Sequence, residues 1–216
     1  MRSEALPRQR TDTPAAWVLP DPPPIPDLSR YTPQRAGHGD IMIRVADPDT
    51  DASLVAEWMS QPHLIATWQQ PWPASQWARY WVAQLSGTYS VPVIMLYQGV
   101  AVGYLEIYRA GRDEVGRCYH SARHDLGFHI AVGDPHLTGR RIFSPFLSTL
   151  ADAMLDADPL CQVVIVDPAV NNTRMHQALL NNGWRGGGEA QPRPDRRIRL
   201  FYRGSSGLDP VERGLS

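Results

Sequence analysis

Apolar residues along this chain fall into short alternating runs and four-residue recurrences, and the punctuation between them is proline and glycine. The densest block runs from Asp125 to Trp184 and reads strand, loop, helix, strand, helix. In residues 125–132, Leu126, Phe128, Ile130 and Val132 share one face of a predicted strand, while Asp125, Gly127, His129 and Ala131 share the other. His129 therefore points away from the more apolar face. A loop with Gly139 and Arg140-Arg141 leads into residues 142–155, where Ile142, Phe146, Leu150 and Met154 form the apolar stripe of a helix able to cover a sheet. Residues 161–166 are an unbroken apolar run, the pattern of a strand buried on both faces, and Asp167-Pro168 ends it. The Asp167 carboxylate is thus left at the strand's exit. Asn172-Thr173 and Asn182-Gly183 supply start and stop signals for a further helix.

Upstream, residues 41–45 alternate as a first strand, and Asp51 or Ser53 can cap a helix whose apolar face is Leu54, Val55, Trp58 and Met59, ending before Pro62. Four indoles follow. Trp77 and Trp81, four apart on a helix expected over 75–85, read as core, whereas Trp68 and Trp72 fall in a proline-flanked loop where packing and an acyl-lining role both stay open. Residues 91–96 and 101–108 alternate on either side of Gln98-Gly99, a hairpin by turn chemistry. Glu106 shares a face with Tyr104 and Tyr108, an unusual place for a carboxylate unless a cation or donor meets it there. Residues 109–124 read as a polar loop with solvated His120 and His124. Gly186-Gly187-Gly188 reads as a flexible link, 198–202 as a last strand, and the end from Gly204 as frayed.

Length allows one well-filled α/β core plus tails, with a domain over 41–204, a tail over 205–216 and a proline-rich tail over 1–40. That leading tail is either unstructured or draped over the domain through Trp17, Val18, Leu19 and Ile25. The formal net charge of -1 argues against a whole-surface trap for nucleic acid, although all 21 basic residues are arginine and local patches remain. Cys118 and Cys161 are too few for a disulfide framework and stand in no metal-ligand spacing, which places the chain in a reducing cytoplasm. No apolar run approaches the roughly 18 residues of a membrane span.

Several of these motifs together resemble the GNAT superfamily of N-acyltransferases, and within it the branch that acylates lysine-derived amines or hydroxylamines during siderophore assembly. The resemblance rests on Asp125-Leu126-Gly127 with His129, on Asp167-Pro168 with Asn172, and on Asn182-Gly183-Trp184. Upstream it continues through Glu57-Trp58-Met59, Pro62-His63-Leu64, Trp72-Pro73, residues 87–90 and Gly103-Tyr104-Leu105-Glu106, and in all it spans residues 41–202. It implies a mixed, mostly antiparallel sheet with a central splayed pair of parallel strands and flanking helices, an α/β (α+β) single domain. It also implies no permanently bound cofactor and no metal. An acyl-CoA or a phosphopantetheine-linked acyl group is the co-substrate, and a small amine or hydroxylamine is the acceptor.

By the same resemblance, His129 positions the acceptor and can act as base, and Asp167 acts as base or orienting carboxylate. Glu106 receives the acceptor's ammonium or hydroxylamine, and with Tyr108, Trp68 and Trp72 it completes the candidate substrate-binding set, the two indoles as the candidates for an acyl or aromatic pocket. Ile130, Val132, Gly139, Arg140, Arg141 and Asn172 hold the pantetheine donor. The family usually cradles the coenzyme A pyrophosphate on a glycine-rich turn at a helix start. Here Arg140 stands at the basic position, but Arg141 and Phe143 replace glycines. Either arginine side chains take over the phosphate contacts, or the donor is an acyl carrier protein with a single phosphodiester. Two other classes stay in view: a catalytically silent module that docks a pantetheine carrier, and a transferase fed by aminoacyl-tRNA through Arg185, Arg193, Arg196, Arg197 and Arg199.

Overall fold

The computed structural model describes residues 21–27, 41–140 and 142–215. Among these residues the order is β1 (Ile41–Val45), α1 (Ala52–Met59), α2 (Pro62–Trp68), α3 (Ala74–Ser86), β2 (Ser90–Tyr97), β3 (Val100–Arg109), β4 (Leu126–Val132), α4 (Phe143–Ala157), β5 (Val163–Val166), α5 (Thr173–Leu180), β6 (Arg185–Arg193) and β7 (Arg196–Gly204). The strands make one seven-stranded sheet in the order β1-β2-β3-β4-β5-β7-β6. Every neighbouring pair is antiparallel except β4 and β5. The mixed sheet with one central parallel pair is the fold that the sequence resemblance implies.

Turn chemistry sets the β2–β3 hairpin: Gln98 and Gly99 both take positive φ, at 52° and 80°, as a two-residue turn matched to strand twist requires. On one face of the sheet α4 lays Phe146, Leu147, Leu150 and Met154 against Leu105, Ile107, Leu126, Phe128, Val164 and Phe201. On the other face two separate apolar clusters form. The first gathers α1 to α3, with Trp58, Trp77 and Trp81, over Ile94, Tyr104 and Ala131. The second gathers Tyr108, Val115, Ile165, Ile198, Leu200 and Leu215. Alternation in β3 and β4 leaves Glu106 and His129, which are register partners, at the seam between these two clusters.

Several expectations are corrected. Helix α1 ends at Met59, before Pro62, as expected, but Pro62 itself opens α2 at the first helical position, where a missing N–H costs nothing, and Trp68 is helical rather than in a loop. Asp51 precedes α1 without capping it, because its oxygens are taken by the Arg44 guanidinium at 2.6 and 2.7 Å and by Asp47 N–H; the Arg44 hydrogen bond holds its carboxyl below the ordinary value. The three glycines at 186–188 lie within β6 and are not a link: Gly186 is paired with Phe201 of β7, and the next two fall at a register shift before Glu189 pairs with Arg199. The chain after Gly204 is anchored: Leu215 is buried, and Arg213 reaches back to the enclosed Asp125 carboxylate. His124 is bonded to Asp158 at 3.0 Å instead of being solvated. Of the leading tail, residues 21–27 run extended against β3 and Ile25 packs on the core, while Trp17, Val18 and Leu19 lie outside the described residues. No helix among the described residues is long and apolar enough to cross a membrane.

Candidate active site

The parallel ladder between β4 and β5 holds for only two register pairs, Leu126 with Val164 and Gly127 with Ile165. Beyond them β4 runs on to Val132 beside β3 alone, so a wedge opens where β5 has turned away. Strand geometry sends the backbone groups of alternate residues to the same side. Gly133 N–H bonds to Val102 of β3, so Ile130 and Val132 turn theirs to the wedge. Two donors from α2 meet their carbonyls there: Trp68 Nε1 at 3.1 Å from Ile130 O, and His63 Nε2 at 3.0 Å from Val132 O.

His129 and Asp167, one on β4 and one just past β5, converge at this place, with His129 Nε2 3.3 Å from Asp167 Oδ1. Tyr108 Oη lies 3.2 Å from the same ring nitrogen, and the Trp68 ring stands edge-on to the imidazole at 6.0 Å. When Nε2 is unprotonated it accepts from the phenol; when it carries a proton it donates to the carboxylate. Asp167 is only 4% exposed, and its other oxygen accepts from Arg196 Nη2 at 2.8 Å. Tyr108 owes its position to Gly127: a Cβ there would stand 2.6 to 2.9 Å from the Tyr108 ring and hydroxyl. Gly127→Ala is therefore expected to displace the phenol from His129 and cost about tenfold or more in turnover, with the melting temperature changed much less. Steady-state kinetics beside a thermal melt checks this, and an unchanged kcat would show that the phenol plays no part.

Glu106, also 4% exposed, accepts from Tyr80 Oη at 3.0 Å and from Gln84 Nε2 at 2.9 Å. Both donors come from α3, so no arginine partner is needed to place this carboxylate on the seam. Trp72 is buried between Trp77 (4.9 Å) and Tyr80 (5.4 Å), a core position one ring removed from Glu106. On the donor side, Gly139 takes a φ of 75° with the Arg174 guanidinium seated over it, and Arg140 is exposed. Arg141 lies outside the described residues. Asn172 is the N-cap of α5, its Oδ1 accepting from Met175 N–H.

Sequence reasoning missed Tyr80, Gln84, Arg174, Glu114 and Arg196. The first two had a signal: they stand three residues after Trp77 and Trp81, on the helix face that those indoles bury. The last two had none, since they reach the site only through long-range pairing.

The acetyltransferase (GNAT) domain family matches residues 47–191. The chain belongs to the GNAT acetyltransferase family. Among its relatives, the lysine N-acyltransferase MbtK of Mycolicibacterium paratuberculosis is 37% identical over 198 residues, covering 92% of this chain and 85% of that enzyme. MbtK of a Mycobacterium species is 34% identical over 168 residues, 78% of this chain but 65% of the enzyme's length. The solved structure of aminoglycoside acetyltransferase AAC(6')-Ib with coenzyme A is similar in fold, with a TM-score of 0.67 at 17% identity over 76% of this chain and 94% of that one.

Proposed function

We propose that the chain moves an acyl group from a pantetheine thioester to the side-chain amine or hydroxylamine of a lysine-like acceptor in siderophore or related secondary metabolism. The observation that carries this is the His129–Asp167 pair at the mouth of the β4–β5 wedge. The names of the MbtK relatives support the lysine-like acceptor. Acyl transfer needs an unprotonated nitrogen, a carbonyl within attack distance and donors for the developing oxyanion. The Ile130 and Val132 N–H groups turn toward the wedge and suit the last role. An amine with a pKa near 10 arrives protonated, so His129 with Asp167 takes its proton. The nitrogen then attacks the thioester carbon, the proton held by the pair passes to the sulfur as the C–S bond breaks, and the attacking nitrogen gives up its second proton to the freed base and so to solvent, leaving a neutral amide and thiol. Glu106, beside His129 on the seam, attracts the cationic acceptor, and Trp68 walls the acyl end.

The donor we favour is acyl carrier protein rather than free coenzyme A. Arg141 and Phe143 stand where the family's turn carries glycine, and Arg174 covers Gly139, so close backbone approach to a pyrophosphate is obstructed. A single phosphodiester asks less of that loop, and Arg140 and Arg174 suit it. The reaction fits the cytoplasm, where Cys118 and Cys161 stay free thiols. Transfer RNA is a weaker donor, because Arg193, Arg196 and Arg197 are engaged by Glu114 and Glu189.

Amine and hydroxylamine acceptors assayed against carrier-bound and coenzyme A-bound acyl groups, read by mass spectrometry, test both parts. The expected result is acylation of a lysine-like acceptor with the carrier-bound donor turning over faster. Tight calorimetric binding of acyl-CoA with saturable turnover reverses the donor order, and no acylation with any pair sinks the function.

A further inference from the structure

The enclosed Asp167 carboxylate divides its two oxygens between opposite partners, Oδ1 facing His129 Nε2 at 3.3 Å and Oδ2 accepting from Arg196 Nη2 at 2.8 Å. The second guanidinium nitrogen, Nη1, bonds to Glu114 Oε1, and Glu114 Oε2 meets Arg193 Nε at 3.0 Å. Charges therefore alternate from β4 through the exit of β5 and the tip of the β6–β7 hairpin to the short helical turn Glu114–Arg117. The arrangement is built into the fold. Val166 pairs with Phe201 and Ala169 with Ile198, while Arg199 N–H bonds to Pro168 O at 2.9 Å and Val170 N–H to Arg197 O at 3.1 Å. That register lays β7 along the segment after Asp167, so the long Arg196 side chain reaches back to the carboxylate.

We propose that Arg196 is a positioning residue for acyl transfer: it holds Asp167 ionised with Oδ1 turned to His129, and Glu114 fixes the orientation of its guanidinium fork. This rests on the reading of His129 and Asp167 as the proton-handling pair. A carboxylate taken out of water keeps its charge only beside a cation or several donors. Arg suits this place because its planar fork is always charged and bonds two carboxylates at once without rotating. Among the groups around Asp167 are His129 from β4, Arg196 from β7, and Cys118 from the end of the short helical turn. Burial, and then the Asp167 charge, push the Cys118 thiol up to about 11. Cys118 therefore stays neutral while Asp167 is charged, and Arg196 is the cation bonded directly to the carboxylate. Without it, protons compete more easily for Asp167, and the acid limb of the rate profile moves to higher pH.

The test is a cycle of Arg196→Gln, Arg196→Lys and Asp167→Asn, with kcat, KM and pH profiles measured beside thermal melts. Arg196→Gln is expected to lower kcat by about tenfold or more, leave KM within about twofold and raise the acid limb by about one pH unit. Arg196→Lys restores most of kcat and returns the limb, since it restores the charge. In the Asp167→Asn background Arg196→Gln costs under about twofold, as residues acting through one another are non-additive. An equal cost in both backgrounds, or a lysine variant no better than glutamine with an unmoved limb, overturns the proposal. Should Arg196→Gln fail to fold, Glu114→Gln carries the test: a several-fold loss that vanishes in Asp167→Asn supports it, and an equal loss or none in both overturns it. Near-normal turnover of Asp167→Asn alone is a separate result, which removes the proton-handling pair itself.

Discussion

His129→Ala and Asp167→Asn are each expected to lower kcat by at least about a hundredfold, or about 2.7 kcal/mol of transition-state stabilisation, the scale usual for a general base. The fold should survive both changes for reasons visible in the site. Without His129, Asp167 keeps Arg196, so no uncompensated charge is left enclosed. Without the Asp167 charge, Arg196 keeps Glu114. The amine acceptor sharpens the expectation: its proton must leave before attack, and a hydroxylamine, being less basic, should suffer less from either substitution. Turnover measured for both acceptors, with circular dichroism melts of each variant, checks this. Both variants turning over near the unmodified rate with intact melts would remove the assignment.

Most of the sheet was legible in the sequence because β1, β3, β4 and β7 alternate and β5 is an unbroken apolar run, and alternation alone put Glu106, Tyr108 and His129 on one side of their strands. Register then made them neighbours, Glu106 opposite His129 and Tyr108 opposite Gly127. What the sequence could not show was closure at a distance. Arg196 read as one of several arginines flanking a last strand, and only the path of β7 past Pro168 turns it inward. Pro62 carried two opposite meanings, stop and first helical residue, and the need to bring His63 and Trp68 onto the β4 carbonyls goes with the second. The glycines at 186–188 lack the side chains by which strands are recognised, yet β6 runs through them: Gly186 pairs with Phe201, a register shift follows in which Gly188 takes a φ of 84°, and Gly187 leaves room for Leu200 and Leu215. His124 lies in a polar run whose partner, Asp158, comes from beyond α4, a pairing that no local pattern announces.

The same distant closure governs Arg109, and Arg109→Met is expected to cost about 3–5 kcal/mol of stability, the scale for breaking an enclosed ion pair from one side. Arg109 is 1% exposed. Its Nη1 bonds to Asp158 at 2.7 Å and to His124 O at 2.6 Å, its Nε to Pro23 O at 3.0 Å and its Nη2 to Pro24 O at 2.6 Å. A proline segment has carbonyls and no N–H at its prolines, so a donor-only guanidinium is its natural partner. Methionine keeps much of the stem volume but leaves three carbonyls and a carboxylate without those donors. Burial opposes ionisation of Asp158, yet the hydrogen bonds from His124 and Arg109 outweigh it and hold the carboxyl below its ordinary value of 3.8. A carboxylate so depressed contributes stability above its unfolded pKa and loses it as pH falls through the folded one. The unmodified chain should therefore shed this contribution only below about pH 4, and the acid-induced loss should be smaller in Arg109→Met, which has already lost the arginine's share at neutral pH. Urea melts across pH measure both effects. Amide exchange at Ile25, whose N–H bonds to Thr88 O at 2.8 Å, reports whether residues 21–27 detach. A change within about 0.5 kcal/mol with Ile25 still protected would mean that the guanidinium is not what holds the segment to the sheet.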